Sequence, residues 1–577
     1  SDAVAPLSNA SPLLASEEAG RLGQDALLLY LPPNLDLTAY QRDVRVFDAA
    51  SGSGLTLLPA ANTRFELLAG RDLAINGSIL QSDRDPASLP GSTAPVADPF
   101  PLARPASRQL HAATPLRAAD PEPARLVARD GAIVGGRDAG GAPPLVDLAE
   151  PVRARAGGDW RDLSLRVQHA SEADRSRIQT GRDFVFEAAA LRRDGDFVHV
   201  GGPGLLELEV GRSLALGVSG GIVSRGDLDN ARLPRHGAEL VVAAAVGAGG
   251  IDYTGALARL TAALGAPDAA ARDAALWQAR WLAGDDTLSE AAAPAAVAAV
   301  AALPEAGRNA RVRALLGTAF RVTGRDANDP ASAYAGDFAR AYAALETLFP
   351  GIESGRYAGE FNLLASRIKT ERGGDITLMQ PGGDLVVGLA NTPAALTRVG
   401  GNALGVVTAN GGGVTAFARD DLLVNQSRIL TVAGGDVLLW SSAGDIDAGR
   451  GKKTASAVPP PVVKIDSQGR VTQELQGAAT GSGIGALSTG GVAAGDVDLV
   501  APRGTVNAGD AGIRAGNLNI AAAVVLGADN ISVSGSSTGT PVADTGAITA
   551  ASSSANSGDG AVGDASAALA DTLAEAA

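Results

Sequence analysis

The sequence predicts a mainly β protein built of stacked coils, a β-solenoid, with an inserted α-helical subdomain and loop excursions. Three observations predict it. First, a phrase of the form Gly-polar-polar-apolar-x-apolar recurs along most of the chain, as in Gly70-Arg71-Asp72-Leu73-Ala74-Ile75, Gly181-Arg182-Asp183-Phe184-Val185-Phe186 and Gly211-Arg212-Ser213-Leu214-Ala215-Leu216. Second, later copies shorten and come in pairs, Gly374-Asp375 with Gly383-Asp384, Gly435-Asp436 with Gly444-Asp445, and Gly495-Asp496 with Gly504-Thr505, each pair nine residues apart (374 to 383, 435 to 444, 495 to 504). Third, 73 glycines and only 4% aromatic residues suit thin coils filled by Val, Leu, Ile and Ala. Apolar residues two apart share one face of a strand, and glycine accommodates the turns between strands. A coil cannot bury its own inner face, so neighbours must stack on it.

Taken in order, residues 1–82 read as the start or cap of the solenoid, with strand phrases such as Asp43-Val44-Arg45-Val46-Phe47. Residues 83–158 are rich in Pro and Ala, with Pro86, Pro90, Pro95, Pro99, Pro101 and Pro105 in close succession. Proline cannot donate to a ladder, so this stretch reads as an excursion from the stack. Solenoid phrases return over 159–254. Residues 255–350 change to helical spacing, as in Ala270–Leu282 and Phe338–Phe349, and read as an α-helical insertion. The solenoid resumes over 351–534. A hairpin insertion at 451–480 interrupts it, where Val462–Asp466 and Arg470–Leu475 flank a Gly turn. Residues 535–577 read as a flexible Ser/Gly/Ala-rich tail, ending in a short helix from Ala565 with Asp564 as its N-cap. Open solenoid ends pair with other chains, so the 1–50 region and the hairpin are expected to cover them.

Composition narrows the function. Cysteine is absent, which excludes disulfides, thiolate metal sites and Cys nucleophiles and suits export through an oxidising compartment. The net charge of −15 disfavours nucleic-acid binding. No run of apolar residues is long enough for a membrane-spanning helix. The chain begins at Ser1 without a signal peptide, which suggests a processed product or part of a longer precursor.

Candidate chemistry is sparse. Three Asp-x-Asp pairs, Asp227/Asp229, Asp445/Asp447 and Asp496/Asp498, place two carboxylates on one strand face. Such pairs can share a metal or divide acid and base roles. The competing reading, which we favour, is that the first Asp binds backbone N–H groups at a turn. Arg367-Ile368-Lys369 resembles a basic tripeptide of pectin-degrading hydrolases, but their Asn-Thr-Asp and Gly-His-Gly motifs are absent. His111, His169, His199 and His236 lack metal-ligand spacing and read as surface or turn residues. Gly247-Ala248-Gly249-Gly250-Ile251-Asp252 reads as loop structure. No catalytic residue, cofactor or metal is assigned. Trp277 and Trp281, four apart on one helix face, are the candidate ligand-binding residues, because sugar C–H faces pack on indoles; the alternative is the core of the helical subdomain.

The segment from Leu348-Phe349-Pro350 through Ser366–Thr370, Gly373-Gly374-Asp375-Ile376 and Pro381-Gly382-Gly383 resembles the C-terminal region of filamentous haemagglutinin-like exoproteins. So do Gly481-Ser482-Gly483-Ile484, Gly495–Gly504 and Asn507–Ile513, and the best likeness covers roughly 340–535. The resemblance implies a right-handed parallel β-helix, exported by an outer-membrane transporter in two-partner secretion and displayed on a Gram-negative cell surface or released. It also implies adhesion to a glycan or cell-surface receptor, or to biofilm matrix. The family's N-terminal secretion motif Asn-Pro-Asn is absent, the nearest match being Pro33-Asn34-Leu35. The expected function is therefore an adhesin segment without catalysis. The alternatives are a polysaccharide-degrading β-helix enzyme and a stalk for a contact-dependent toxin.

Overall fold

The protein is described by a computed structural model covering residues 3–4, 28–31, 35–39, 41–47, 54–57, 59–61, 64–84, 111–120, 122–137, 143–187, 196–390, 404–450, 462–465, 471–474, 481–489 and 491–540. Each coil carries three strands, and each strand pairs in parallel with its counterpart one coil on. The first ladder runs from Leu35–Ala39 through Val152–Ala156, Arg175–Thr180, Leu205–Val210 and Glu239–Ala243 to Leu518–Leu526. The second is made of short strands at a corner, such as Leu214–Ala215 and Phe361–Asn362, and merges with the first where Val497–Asn507 runs on around the bend. The third is a separate sheet, thirteen-stranded among the described residues, from Leu28–Leu31 to Ile531–Val533. The expected parallel β-solenoid with a helical insert is what the chain forms.

Register keeps like residues over like. On the first ladder the inward column runs Leu126, Ala154, Ile178, Leu208, Val242, Leu378, Ala416, Leu439, Leu499, Ile520. Every member is at most 3% exposed, so each coil supplies the apolar floor its neighbour needs.

The Gly-Asp phrase has two separate jobs. A Cβ on Gly435 would lie 1.8 Å from the Gly412 carbonyl oxygen, and one on Gly495 would lie 2.2 Å from that of Gly435. Glycine is needed there because the backbone of the preceding coil occupies the space of a side chain. The following Asp then bridges coils. Asp384 accepts from Asp421 N (2.9 Å), Asp421 from Asp445 N (2.8 Å) and Asp445 from Thr505 N (2.7 Å). Asp436 likewise accepts from Asp496 N (2.9 Å).

The coil stack also occupies 122–158, part of the stretch whose prolines suggested an excursion. Strands Ala124–Ala128, Ile133–Gly135, Leu145–Asp147 and Val152–Ala156 run there. Pro123, Pro143, Pro144 and Pro151 lie outside the strands, where no ladder N–H is required. Residues 85–110 lie outside the described residues, as does the expected terminal helix at 565–577. At the start, Leu28–Leu31, Leu35–Ala39 and Val44–Val46 are coil strands. The hairpin Val462–Ile465 with Val471–Glu474 is antiparallel. It leaves the stack between Ile446–Asp447 and Gly483–Leu487, two coils before the last rather than at the end.

Five helices among the described residues follow the strand Glu239–Ala243: α1 (Tyr253–Leu264), α2 (Ala269–Ala283), α3 (Ala293–Ala301), α4 (Glu305–Asn328) and α5 (Ala339–Leu348). Asp252 and Asp268 cap α1 and α2 by accepting from Gly255 N and Ala271 N, both at 2.8 Å. The helices seat on the outer surface of the first ladder. There the outward column turns apolar as Ala243, Met379, Phe417, Trp440, Val500 and Ala521, all buried in one cluster with the helices. Trp440 stacks on Phe320 at 4.6 Å, and Phe417 packs on Phe320 and Phe349 at 5.7 and 5.9 Å.

Helix α4 runs along the stack. Its contacts climb in order: Glu305 to Arg177, Arg313 to Glu207, Phe320 to Phe417 and Trp440, Arg325 to Asp498, and Asn328 to Asn519. Twenty-four residues rise about 34 Å. The seven coil spacings from Arg177 to Asn519 also span about 34 Å at ~4.8 Å each. The two repeats match, so one straight helix touches the coils in sequence.

Candidate functional site

The outer surface changes chemistry where α4 begins. Strands Val152–Ala156 and Arg175–Thr180 alternate strictly, with Ala154, Ala156, Ile178 and Thr180 inward and arginines outward. Register stacks Arg125 on Arg153 and Arg153 on Arg177. A cleft of about 450 Å3 opens over this column, lined by Arg125, Arg153, Arg155, Arg175, Arg177 and Arg313 against Glu207 and Glu305. A second cleft of about 600 Å3 lies on the other side of Glu305 and Asn309. Its wall is the loop 246–252 and the start of α1, with Arg177, Arg259, Arg308, Arg356 and Tyr357.

A charge network fixes the shared wall. Arg177 donates to Glu209 (2.7 Å) and to Glu305 (3.2 Å). Glu207 accepts from Tyr253 Oη (3.1 Å) and Arg313 (3.2 Å). Burial, then the neighbouring Glu207, pushes the Glu209 carboxyl up to about 7, and burial likewise raises the Tyr253 phenol. Glu209 is fully buried. Its chemical capacity is therefore to hold the Arg177 guanidinium in place. Arg153 and Arg155, by contrast, are exposed. Among the described residues the ion pairs of this region go to their neighbours Arg125 and Arg177, not to them.

The sequence-predicted residues fall elsewhere. Trp277 and Trp281 both lie on α2, ring centroids 6.1 Å apart and edge to face at 61°. Trp281 is 39% exposed, while Arg340 stands 5.3 Å from the Trp277 ring. Neither lines the two clefts. The Asp-x-Asp pairs are engaged. Asp227 pairs with Arg372 and Asp229 with Arg225. Asp445 accepts from Thr505 N and Asp447 from Gly449 N. Asp496 and Asp498 are gripped by Arg325, which reaches both Asp498 oxygens at 2.8 and 2.9 Å. In Arg367-Ile368-Lys369, Ile368 points into the core, Arg367 donates to Gly220 O and Lys369 pairs with Glu371. Among the described residues no group of three or more His, Cys, Asp or Glu is placed to hold a metal.

Two of the four histidines differ from expectation, because the stack buries His111 and His169; His199 is half-buried, and His236 is exposed, as a surface residue was expected to be. His111 is buried against Asp83 at 2.9 Å. His169 is fully buried, its Nδ1–H donating to Pro203 O and its Nε2 accepting from Ser176 Oγ. Burial lowers its pKa to about 4, so the ring is neutral. His199 lies flat on Phe197 at 4.2 Å, held well below the usual imidazole range by burial and then by Arg225.

What sequence reasoning missed is the arginine column and the Glu207/Glu209 pair. Both had a signal: Val152-Arg-Ala-Arg-Ala and Leu206-Glu-Leu-Glu-Val are strict alternations that aim two like charges outward.

One comparison bears on kinship. Residues 434–542 match the model of the filamentous haemagglutinin family outer membrane protein. The match overlaps the later half of the stretch whose phrases resembled that family. No curated protein and no solved structure matches the chain. The matched segment contains Asp436, Trp440, Asp496, Asp498, Val500 and Asn519, so it supplies the part of the rod on which the C-terminal half of α4 sits. No helix among the described residues is long and apolar enough to cross a membrane.

Proposed function

We propose that this chain is an adhesin segment of a secreted or cell-surface bacterial exoprotein, presenting a β-solenoid for attachment to cells or biofilm matrix without catalysis. The observation that carries the reading is the helical insert laid along the rod. It forms clefts against the lateral surface of the rod, two of them at the N-terminal end of α4, and recognition on solenoids sits at such departures. The haemagglutinin-family segment supports the same reading and, with it, export through an outer-membrane transporter. The Asp-x-Asp carboxylates that a glycan-cleaving enzyme would need are tied to backbone N–H groups or arginines, which disfavours that alternative. Attachment of cells to beads coated with the full chain tests the proposal. We expect attachment well above that of beads carrying an unrelated acidic protein, and equality between the two would refute it.

A further inference from the structure

Arg153 lies in register between Arg125 and Arg177. Like charges directly opposite on neighbouring strands destabilise a sheet. Arg125 is relieved by Glu66 and Glu122, and Arg177 by Glu209 and Glu305. Among the described residues Arg153 and its neighbour Arg155 have no ion pair, although the protein as a whole carries −15. A chain with acid to spare has left two guanidinium groups uncompensated on the floor of a cleft. We propose that this cleft binds a linear acidic glycan, its anionic groups following the arginine column from coil to coil. The inference rests on the adhesin reading and names the ligand class of that site.

Three features favour a glycan over other polyanions. The column repeats at the coil spacing of ~4.8 Å, comparable to the length of one sugar unit in an extended chain. The guanidinium fork matches carboxylate or sulfate oxygens two at a time. The cleft, about 450 Å3 and without an aromatic lining residue, suits a few sugar units. It offers no ring on which a base would stack, and the net charge repels a long nucleic acid. Glu305, at the lip of both clefts, opposes an anionic ligand.

The test measures retention of the full chain on immobilised polygalacturonate, dextran sulfate, neutral dextran and duplex DNA, at low and high salt. The carboxylated and sulfated arms separate the two sources of anionic group. We expect retention on at least one acidic glycan, weakened by salt, and none on neutral dextran. The double variant Arg153→Ala/Arg155→Ala should bind roughly tenfold more weakly or worse. Arg232→Ala/Arg235→Ala, which removes the same charge at exposed positions in another loop, should bind like the parent, and Glu305→Gln should bind more tightly. Equal binding by the first double variant, equal retention on neutral dextran, tighter retention on DNA, or no retention on either acidic glycan would each overturn the proposal. In the last case bead attachment to cells decides the rest: if it persists, the adhesin reading stands without this ligand, and if it is lost both fall.

Discussion

Trp440→Ala is the sharpest test of how the helical insert is held. The indole is fully buried on the outer, not the inner, surface of the first ladder. It stacks on Phe320, meets Tyr342 and Phe338 edge-on at 5.6 and 6.4 Å, and donates to Ser442 Oγ at 2.9 Å. Truncating a fully buried Trp typically costs about 3–5 kcal/mol. This loss falls on the seat between rod and helices, because the inward column through Leu439 is untouched. Hydrogen exchange followed by mass spectrometry reads it locally. A cost of ~4 kcal/mol corresponds to roughly a thousandfold, so amides of α4 and α5 should exchange faster by two to three orders of magnitude, about what that cost implies. The inward strands around Ile178 and Leu208 should keep their protection. Less than about a fivefold change in α4, or equal loss in helices and distant coils, would refute a seat that is energetically separate from the core.

Other outcomes follow from the same geometry. Gly435→Ala forces a methyl into the Gly412 carbonyl, and an overpacking cost of about 1–3 kcal/mol should appear in thermal melts as a lowered Tm. Arg325→Ala leaves the fully buried Asp498 with Arg321 alone at 3.5 Å, so denaturant titration should show a loss of about 2 kcal/mol, less than the ~3–5 of a wholly orphaned buried charge. Glu209, with its carboxyl raised to about 7 against 4.5, binds more protons folded than unfolded between those values. Stability should therefore fall as pH rises from about 4.5 to about 7, and Glu209→Gln should remove that component of the slope in melts taken across the window.

The rod was legible because its grammar is local. Gly435 and Asp436 sit side by side in sequence and meet partners one coil before and one coil after through a translation that repeats, so a short phrase encodes a long-range contact. The seat was less legible. Val437-Leu438-Leu439-Trp440 reads as a continuous apolar run, which signals burial on both faces but not what covers the outer one. That depends on α4, over a hundred residues earlier, and on the match between helical rise and coil spacing. The excursion expected over 83–158 rests on the prolines at 86–105, and the coil strands at 124–156 are hidden by composition averaged over the whole stretch. Composition counts Pro143, Pro144 and Pro151 without saying that each falls between strands. Trp277 and Trp281 stand out in the sequence as large aromatics, while the meaning of the cleft arginines appears only when Arg125, Arg153 and Arg177 stack.

The measurement that most directly tests attachment without turnover is to incubate the purified chain with a panel of bacterial and host glycans, following retention and the release of new reducing ends together. The account predicts retention with no reducing ends above the protein-free control, unchanged in an Asp445→Ala/Asp447→Ala variant. Release of reducing ends that disappears in that variant would contradict it and make the chain an enzyme.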